Sequence, residues 1–121
     1  EKLNFGRAHH RVIYFVGKKD KITIKELLGV LKITKQSLSR VLNQLVKEGF
    51  IVVSTGLDKR TKNLSLTSSG LSLENELSTI QIQKIKKVIN NFNKEDIDGF
   101  KKILYEMIEI DNKKTFQHLN E

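Results

Sequence analysis

Apolar residues recur every three or four positions through most of this chain, and the pattern breaks at only a few places. Phe5, Ala8, Val12, Phe15 and Val16 fall on one face of a helix over residues 5–16. Gly17 is placed to end that helix at the position where a left-handed backbone is needed. A short link, Asp20-Lys21-Ile22, precedes "TIKE", which is a capping box: the Thr23 hydroxyl accepts from the Glu26 N–H and Glu26 reaches back to Thr23. Ile24, Leu27, Leu28 and Leu31 give this short helix its apolar face. A second helix starts almost at once at Thr34, with Leu38, Val41, Leu42, Leu45 and Val46 at helical spacing and Gly49 as its stop. Two helices joined by a turn as short as "LKIT" form a helix-turn-helix.

The period then changes. "IVVST" and "NLSLT" predict paired strands, and the "GLDKRTK" between them is too long for a two-residue turn, so its tip projects as a wing. Helical spacing returns from Ser68, with Leu71, Leu77, Ile80, Ile85, Val88, Ile89 and Phe92 along a long helix. Asn93 caps the next helix, whose first-turn acids complement the helix dipole and whose stripe is Ile97, Phe100, Ile103, Leu104, Met107 and Ile108. The expected fold is mostly α with a small β-hairpin wing: a winged helix-turn-helix region over 5–67 and a helical dimerisation region over 68–121. The far end of the long helix leaves apolar surface that a partner must cover. An intramolecular helical hairpin is the rival arrangement.

Charge sharpens this picture. Residues 1–67 hold fourteen Lys and Arg against five Asp and Glu, a net of +9, while the remainder nets −1. The excess sits on the half that carries the helix-turn-helix and the wing, which points to a polyanion. On the second helix, Lys35, Gln36, Ser39, Arg40, Asn43 and Lys47 occupy the polar face, and no acid appears before Glu48. Ordinary solvated faces mix both signs. These side chains suit duplex DNA instead: Arg reads guanine, Gln or Asn reads adenine, and Ser or Lys takes a phosphate. At the wing, Asp58 is placed to bond to the loop backbone or to Arg60, beside Lys59 and Lys62.

Other chemistry finds little footing. The chain has no Cys, hence no disulfide, thiolate metal site or thiol switch. Its apolar runs are too short to span a bilayer, so no membrane partner is expected and the cytoplasm is the default location. No glycine-rich phosphate loop and no paired carboxylates in an apolar setting suggest an enzyme, and no cofactor is implied. His9 and His10 are adjacent and diverge by ~100° on a helix, and His118 lies far along the chain, so no metal site is expected. The chain begins at Glu1 without Met, which points to further residues upstream.

Together these segments resemble the MarR family of bacterial transcription regulators. "DKRTKNLSLTSSG" is similar to the family's wing signature, with Asp58, Arg60, Leu66, Thr67 and Gly70 in matching order and spacing. "LLGVLKITKQSLSRVLNQLVKEGFI" is similar to its reading-head segment, including the Gly49-Phe50 pair. The resemblance implies a homodimer with one winged helix per subunit on a pseudo-palindromic operator. Thr34 to Arg40, Ser37 among them, would face the major groove; Arg60 would enter the minor groove, oriented by Asp58. Ile80, Ile85, Val88, Ile89, Phe92, Ile97, Phe100, Leu104, Met107 and Ile108 would serve dimerisation. Members also bind small aromatic effectors near the junction of the two regions, which makes His9, His10 and Arg11 the candidate effector contacts.

Three departures stand out. Lys32 occupies a turn position where many relatives have Gly, so the turn is expected to be shaped differently. The dimerising helix that usually precedes residues 5–16 is missing, and no Cys is present for peroxide sensing. Two other classes remain open: an architectural DNA binder without sequence preference, and a winged-helix adaptor that binds protein. A specificity ratio of about 10³ or more between selected and random duplex separates a regulator from the first, and salt-linked DNA affinity separates it from the second.

Overall fold

The computed structural model describes residues 5–111. Its elements run α1 (Arg7–Lys18), β1 (Ile22–Thr23), α2 (Ile24–Leu31), α3 (Lys35–Lys47), β2 (Ile51–Thr55), β3 (Lys62–Leu66), α4 (Ser68–Ile89) and α5 (Lys94–Asp111). The chain forms two compact units that divide between Asn75 and Glu76, within α4. The result is mostly helical with a small antiparallel sheet, as the alternation of periods predicted.

In the first unit, α1, α2 and α3 pack with a three-stranded sheet of order β1-β3-β2. The β2–β3 hairpin pairs Ile51 with Leu66 at its base and Thr55 with Lys62 at its outer end. The strand β1 is an addition to the sequence reading. It is two residues long, shows no alternation of its own, and exists by pairing Ile22 with Leu64 and Thr23 with Asn63. The core is dry: Val12, Ile13, Val16, Ile22, Leu27, Leu38, Leu45, Ile51 and Leu64 are fully or almost fully buried, and no polar side chain is buried among the described residues. Truncating a buried Leu in such a core costs ~2–5 kcal/mol. On α1 the buried face is Val12, Ile13 and Val16, whereas Ala8 is exposed, so the face is rotated towards Ile13 from the predicted one.

Local signals close most of the elements. The capping box forms, with Glu26 N–H donating to Thr23 Oγ1 at 3.1 Å and Thr23 N–H donating to Glu26 Oε1 at 3.0 Å. Lys19 Nζ adds a 2.6 Å ion pair to Glu26 Oε2. Partial burial alone would raise the Glu26 carboxyl, but the Lys19 ammonium and the bonds from Thr23 outweigh it and hold it below the usual carboxylate range. Helix α3 ends in a Schellman motif, with Phe50 N–H on the Leu45 carbonyl at 2.9 Å and Gly49 N–H on the Val46 carbonyl at 3.0 Å. Gly49 has φ 84, as its predicted role requires. Gly17 does not: it lies inside the last turn of α1, which runs on to Lys18. A side chain there would meet Leu66 Cδ1 at 3.0 Å, so its smallness serves helix–strand packing. Lys32 does take the left-handed conformation (φ 55, ψ 46) despite its side chain, and its N–H bonds the Leu28 carbonyl at 2.9 Å.

The start of α4 is fastened to the end of α3. Thr67 Oγ1 donates to the Gly49 carbonyl at 2.6 Å and accepts from Gly70 N–H at 3.0 Å. The Phe50 carbonyl accepts from Thr67 N–H at 3.1 Å. A Cβ on Gly70 would lie 2.1 Å from that same carbonyl oxygen, so only glycine fits there. Thr67 and Gly70 of the wing signature are therefore structural: one caps α4 and the other lets the backbone of Phe50 approach it.

In the second unit, Asn93 Oδ1 caps α5 by accepting from Asp96 N–H at 2.8 Å. Helix α4 stops at Ile89, so Phe92 sits in the connecting turn instead of on the predicted long helix; its N–H bonds the Ile89 carbonyl at 2.9 Å. From Glu76 to Ile108 no residue is buried. The predicted stripes are present but uncovered among the described residues. Ile80, Ile85, Val88, Phe92, Phe100, Leu104, Met107 and Ile108 are exposed, and Ile89 and Ile97 are half-buried. Among the described residues no helix is long and apolar enough to cross a membrane.

Candidate nucleic-acid interface

Helix α3 presents its polar face intact. Lys35, Gln36, Ser39, Arg40, Asn43 and Lys47 are exposed, while Leu38, Val41, Leu42 and Leu45 anchor the opposite face. Thr34 and Ser37 stand apart from the others. The Thr34 hydroxyl accepts from Ser37 N–H at 3.0 Å and donates to Ser37 Oγ at 2.9 Å, so this pair caps the helix. Gln36 and Arg40 lie one turn apart, and both aim long hydrogen-bonding side chains outward.

The wing tip is an ordered loop. Gly56 N–H bonds the Thr61 carbonyl at 2.9 Å, and Thr61 N–H bonds the Asp58 carbonyl at 2.8 Å. Within it Asp58 Oδ1 accepts from the backbone N–H of Arg60 at 2.9 Å, and the carboxylate also meets the guanidinium at 3.4 Å. The bond from the Arg60 backbone, then that from its side chain, holds the Asp58 carboxyl below its usual range. The Arg60 side chain is 91% exposed even so, with its polar head in solvent. Lys59 is exposed at the tip, and Lys62 is the first residue of β3, paired with Thr55 at the outer end of the hairpin.

The candidate effector residues have structural partners. His9 Nδ1 accepts from Gly6 N–H at 3.1 Å, which leaves Nε2 to donate to Gln44 Oε1 at 2.8 Å. Phe5 stacks on the His9 ring at 4.5 Å and meets Phe50 edge-on. Arg11 donates to the Leu31 carbonyl at 3.2 Å. A shallow cleft of about 250 Å³ opens elsewhere in this unit, lined by Val16, Gly17, Asp20, Leu66, Thr67, Ser68 and Leu71, and neither His9, His10 nor Arg11 borders it. Among the described residues no three His, Asp or Glu side chains gather to hold a metal; His118 lies outside them.

Comparison with known proteins bears on the family and the fold. Residues 3–61 match the model of the MarR family. Over its whole length the chain is 35% identical to the HTH-type transcriptional regulator PetP of Rhodobacter capsulatus, covering 74% of that protein. The chain belongs to the MarR family. The fold agrees: a MarR protein from Peptoclostridium difficile superposes with a TM-score of 0.81 over 96% of this chain and 76% of that one, at 21% identity. Streptococcus pneumoniae FabT, solved in complex with DNA, gives 0.78 over 88% and 76%, also at 21%.

As a MarR-family transcription regulator, the chain keeps the wing's Asp-Arg pair bonded as the signature implied. Two contributions were invisible in the sequence. The His9–Gln44 bond ties α1 to α3 across 35 positions, and Thr67 joins the wing's base to the end of α3.

Proposed function

We propose that this regulator acts as a cytoplasmic homodimer that binds a pseudo-palindromic DNA operator with sequence preference and responds to a small effector. The observation that carries this reading is the acid-free polar face of α3, from Lys35 to Lys47, together with a wing whose only carboxylate is spent on shaping Arg60. A structural relative of the same fold has been solved on DNA. In this reading Gln36, Arg40 and Asn43 read base edges in the major groove, Lys35 and Lys47 take phosphates, and Arg60 enters the minor groove.

Support for dimerisation comes from the second unit. Its apolar stripe has no cover within the described residues, and two helices with Phe100 and Met107 more than 60% exposed are not a stable arrangement in water. A second copy supplies an identical stripe. A small aromatic effector acting near His9, His10 and Arg11 would work by disturbing the His9–Gln44 tie to the reading helix.

The test is binding to selected and scrambled duplexes over a range of salt, with Gln36→Ala and Arg40→Ala alongside. A specificity ratio of about 10³ or more is expected, and each substitution should cost ~1–3 kcal/mol on the preferred site and relax the preference at particular base pairs. Equal affinity for both duplexes would identify an architectural binder instead.

A further inference from the structure

Lys25, on the first turn of α2, lies outside every element so far assigned to DNA. The strand register brings it beside the wing. β1 runs antiparallel to β3 and its last residue, Thr23, pairs with Asn63; Ile24 opens α2 directly after that pair, and Lys62 directly precedes it on β3. Leu64, two residues along β3 from Lys62, is fully buried on the face of the sheet that carries the helices. Side chains two apart in a strand share a face, so Lys62 is directed towards the helix side of the wing, where α2 begins. Lys25 is exposed on the side of α2 away from the buried Leu27.

These two cations have no acid between them. Glu26 is bound to Lys19 at 2.6 Å and to Thr23, and Asp58 is bound to Arg60. The side chains of Lys25 and Lys62 make no hydrogen bond or ion pair among the described residues. Two uncompensated ammonium groups carried by neighbouring elements repel each other, and an anion placed between them relieves that repulsion.

We infer that Lys25 and Lys62 form a phosphate clamp for one backbone strand of the bound duplex. The inference rests on the proposed DNA reading, in which α3 occupies a major groove and Arg60 the adjoining minor groove. The sugar–phosphate ridge is what separates those grooves, and it must pass on the helix side of the wing. The clamp sets how the winged helix registers on the duplex and carries no base preference of its own.

The test is the salt dependence of operator binding for Lys25→Ala, Lys62→Ala and Lys25→Arg, with Arg60→Ala as reference and far-ultraviolet circular dichroism as the check on folding. Each alanine variant should lower the slope of log K against log salt by about 0.9 per lost phosphate contact, thus by about two per dimer. The loss should be the same on scrambled duplex, and Lys25→Arg should keep the wild-type slope. A methylphosphonate scan of the operator should find one position where wild type and Lys25→Ala bind alike. A wild-type slope for Lys25→Ala while Arg60→Ala loses its share overturns the clamp and leaves the DNA reading standing. Wild-type slopes for every variant, Arg60→Ala included, overturn both.

Discussion

The Asp58 carboxylate holds Arg60 in two ways: it accepts from the backbone N–H at 2.9 Å and meets the guanidinium at 3.4 Å. The first bond shapes the loop, and the second aims the side chain. Arg60→Ala should therefore weaken binding to operator and scrambled duplex alike, and lower the salt slope by about two per dimer. Asp58→Ala should weaken binding less, because the guanidinium and its charge remain. Unchanged affinity and slope in Arg60→Ala would mean that the hairpin is not a DNA-contacting wing.

The close approach of Phe50 to α4 makes a sharp contrast between two glycines. Gly70→Ala puts a methyl 2.1 Å from a backbone carbonyl that cannot easily move, and should destabilise the fold by ~1–3 kcal/mol. Gly29→Ala, in the interior of α2 with open space around it, should stabilise it by ~0.4–1 kcal/mol. Urea unfolding of the two variants measures both, and a neutral Gly70→Ala would contradict the packing described at this junction.

The Lys19–Glu26 pair gives the fold an acid-sensitive element. The Glu26 carboxyl is held below its usual range in the folded state, so its contribution is fully present above the unfolded-state value of about 4.3 and is lost as pH falls through the folded value. The stability gap between wild type and Glu26→Ala should stay constant from about pH 8 to 5 and close below about pH 4. Denaturant midpoints across that range report the gap. A gap that widened on acidification would reverse the assigned sign.

Where the signal was local, the sequence carried it. Thr23 and Glu26 form their box because both partners lie within one turn, and Gly49 takes a positive φ that few other residues accept. The exposed polar face of α3 was legible because helical period alone separates Lys35, Gln36, Arg40 and Asn43 from the buried Leu38 and Leu45. Tertiary partners decided the rest. Gly17 was misread as a helix stop, because its reason for being small is Leu66, far along the chain. β1 has no pattern of its own and is defined by Leu64 and Asn63. Of the two bonds that occupy the nitrogens of His9, the one from Gly6 has the local spacing of a helix cap, but the one to Gln44 joins positions that no spacing rule connects.

The uncovered stripe of the second unit predicts what disrupts assembly. Glutamate at both Ile85 and Phe100, which are exposed, should leave each subunit folded but oppose burial of that stripe against a second copy, since an unpaired buried charge costs several kcal/mol. Sedimentation at micromolar concentration should give twice the chain mass for wild type and a single chain mass for the double variant, with operator affinity falling in parallel. A wild-type monomer that bound operator at full affinity would remove the dimer from the account.

The central claim is that one chain supplies a sequence reader and a second copy supplies its twin. Selection of bound sites from a random duplex pool tests this most directly. The account predicts enrichment of one inverted repeat, with two half-sites spaced by about one helical turn or a multiple of it, and with A·T-rich flanks where Arg60 meets a narrow minor groove. A pool that emerged without a shared sequence, or with a single unrepeated half-site, would contradict it.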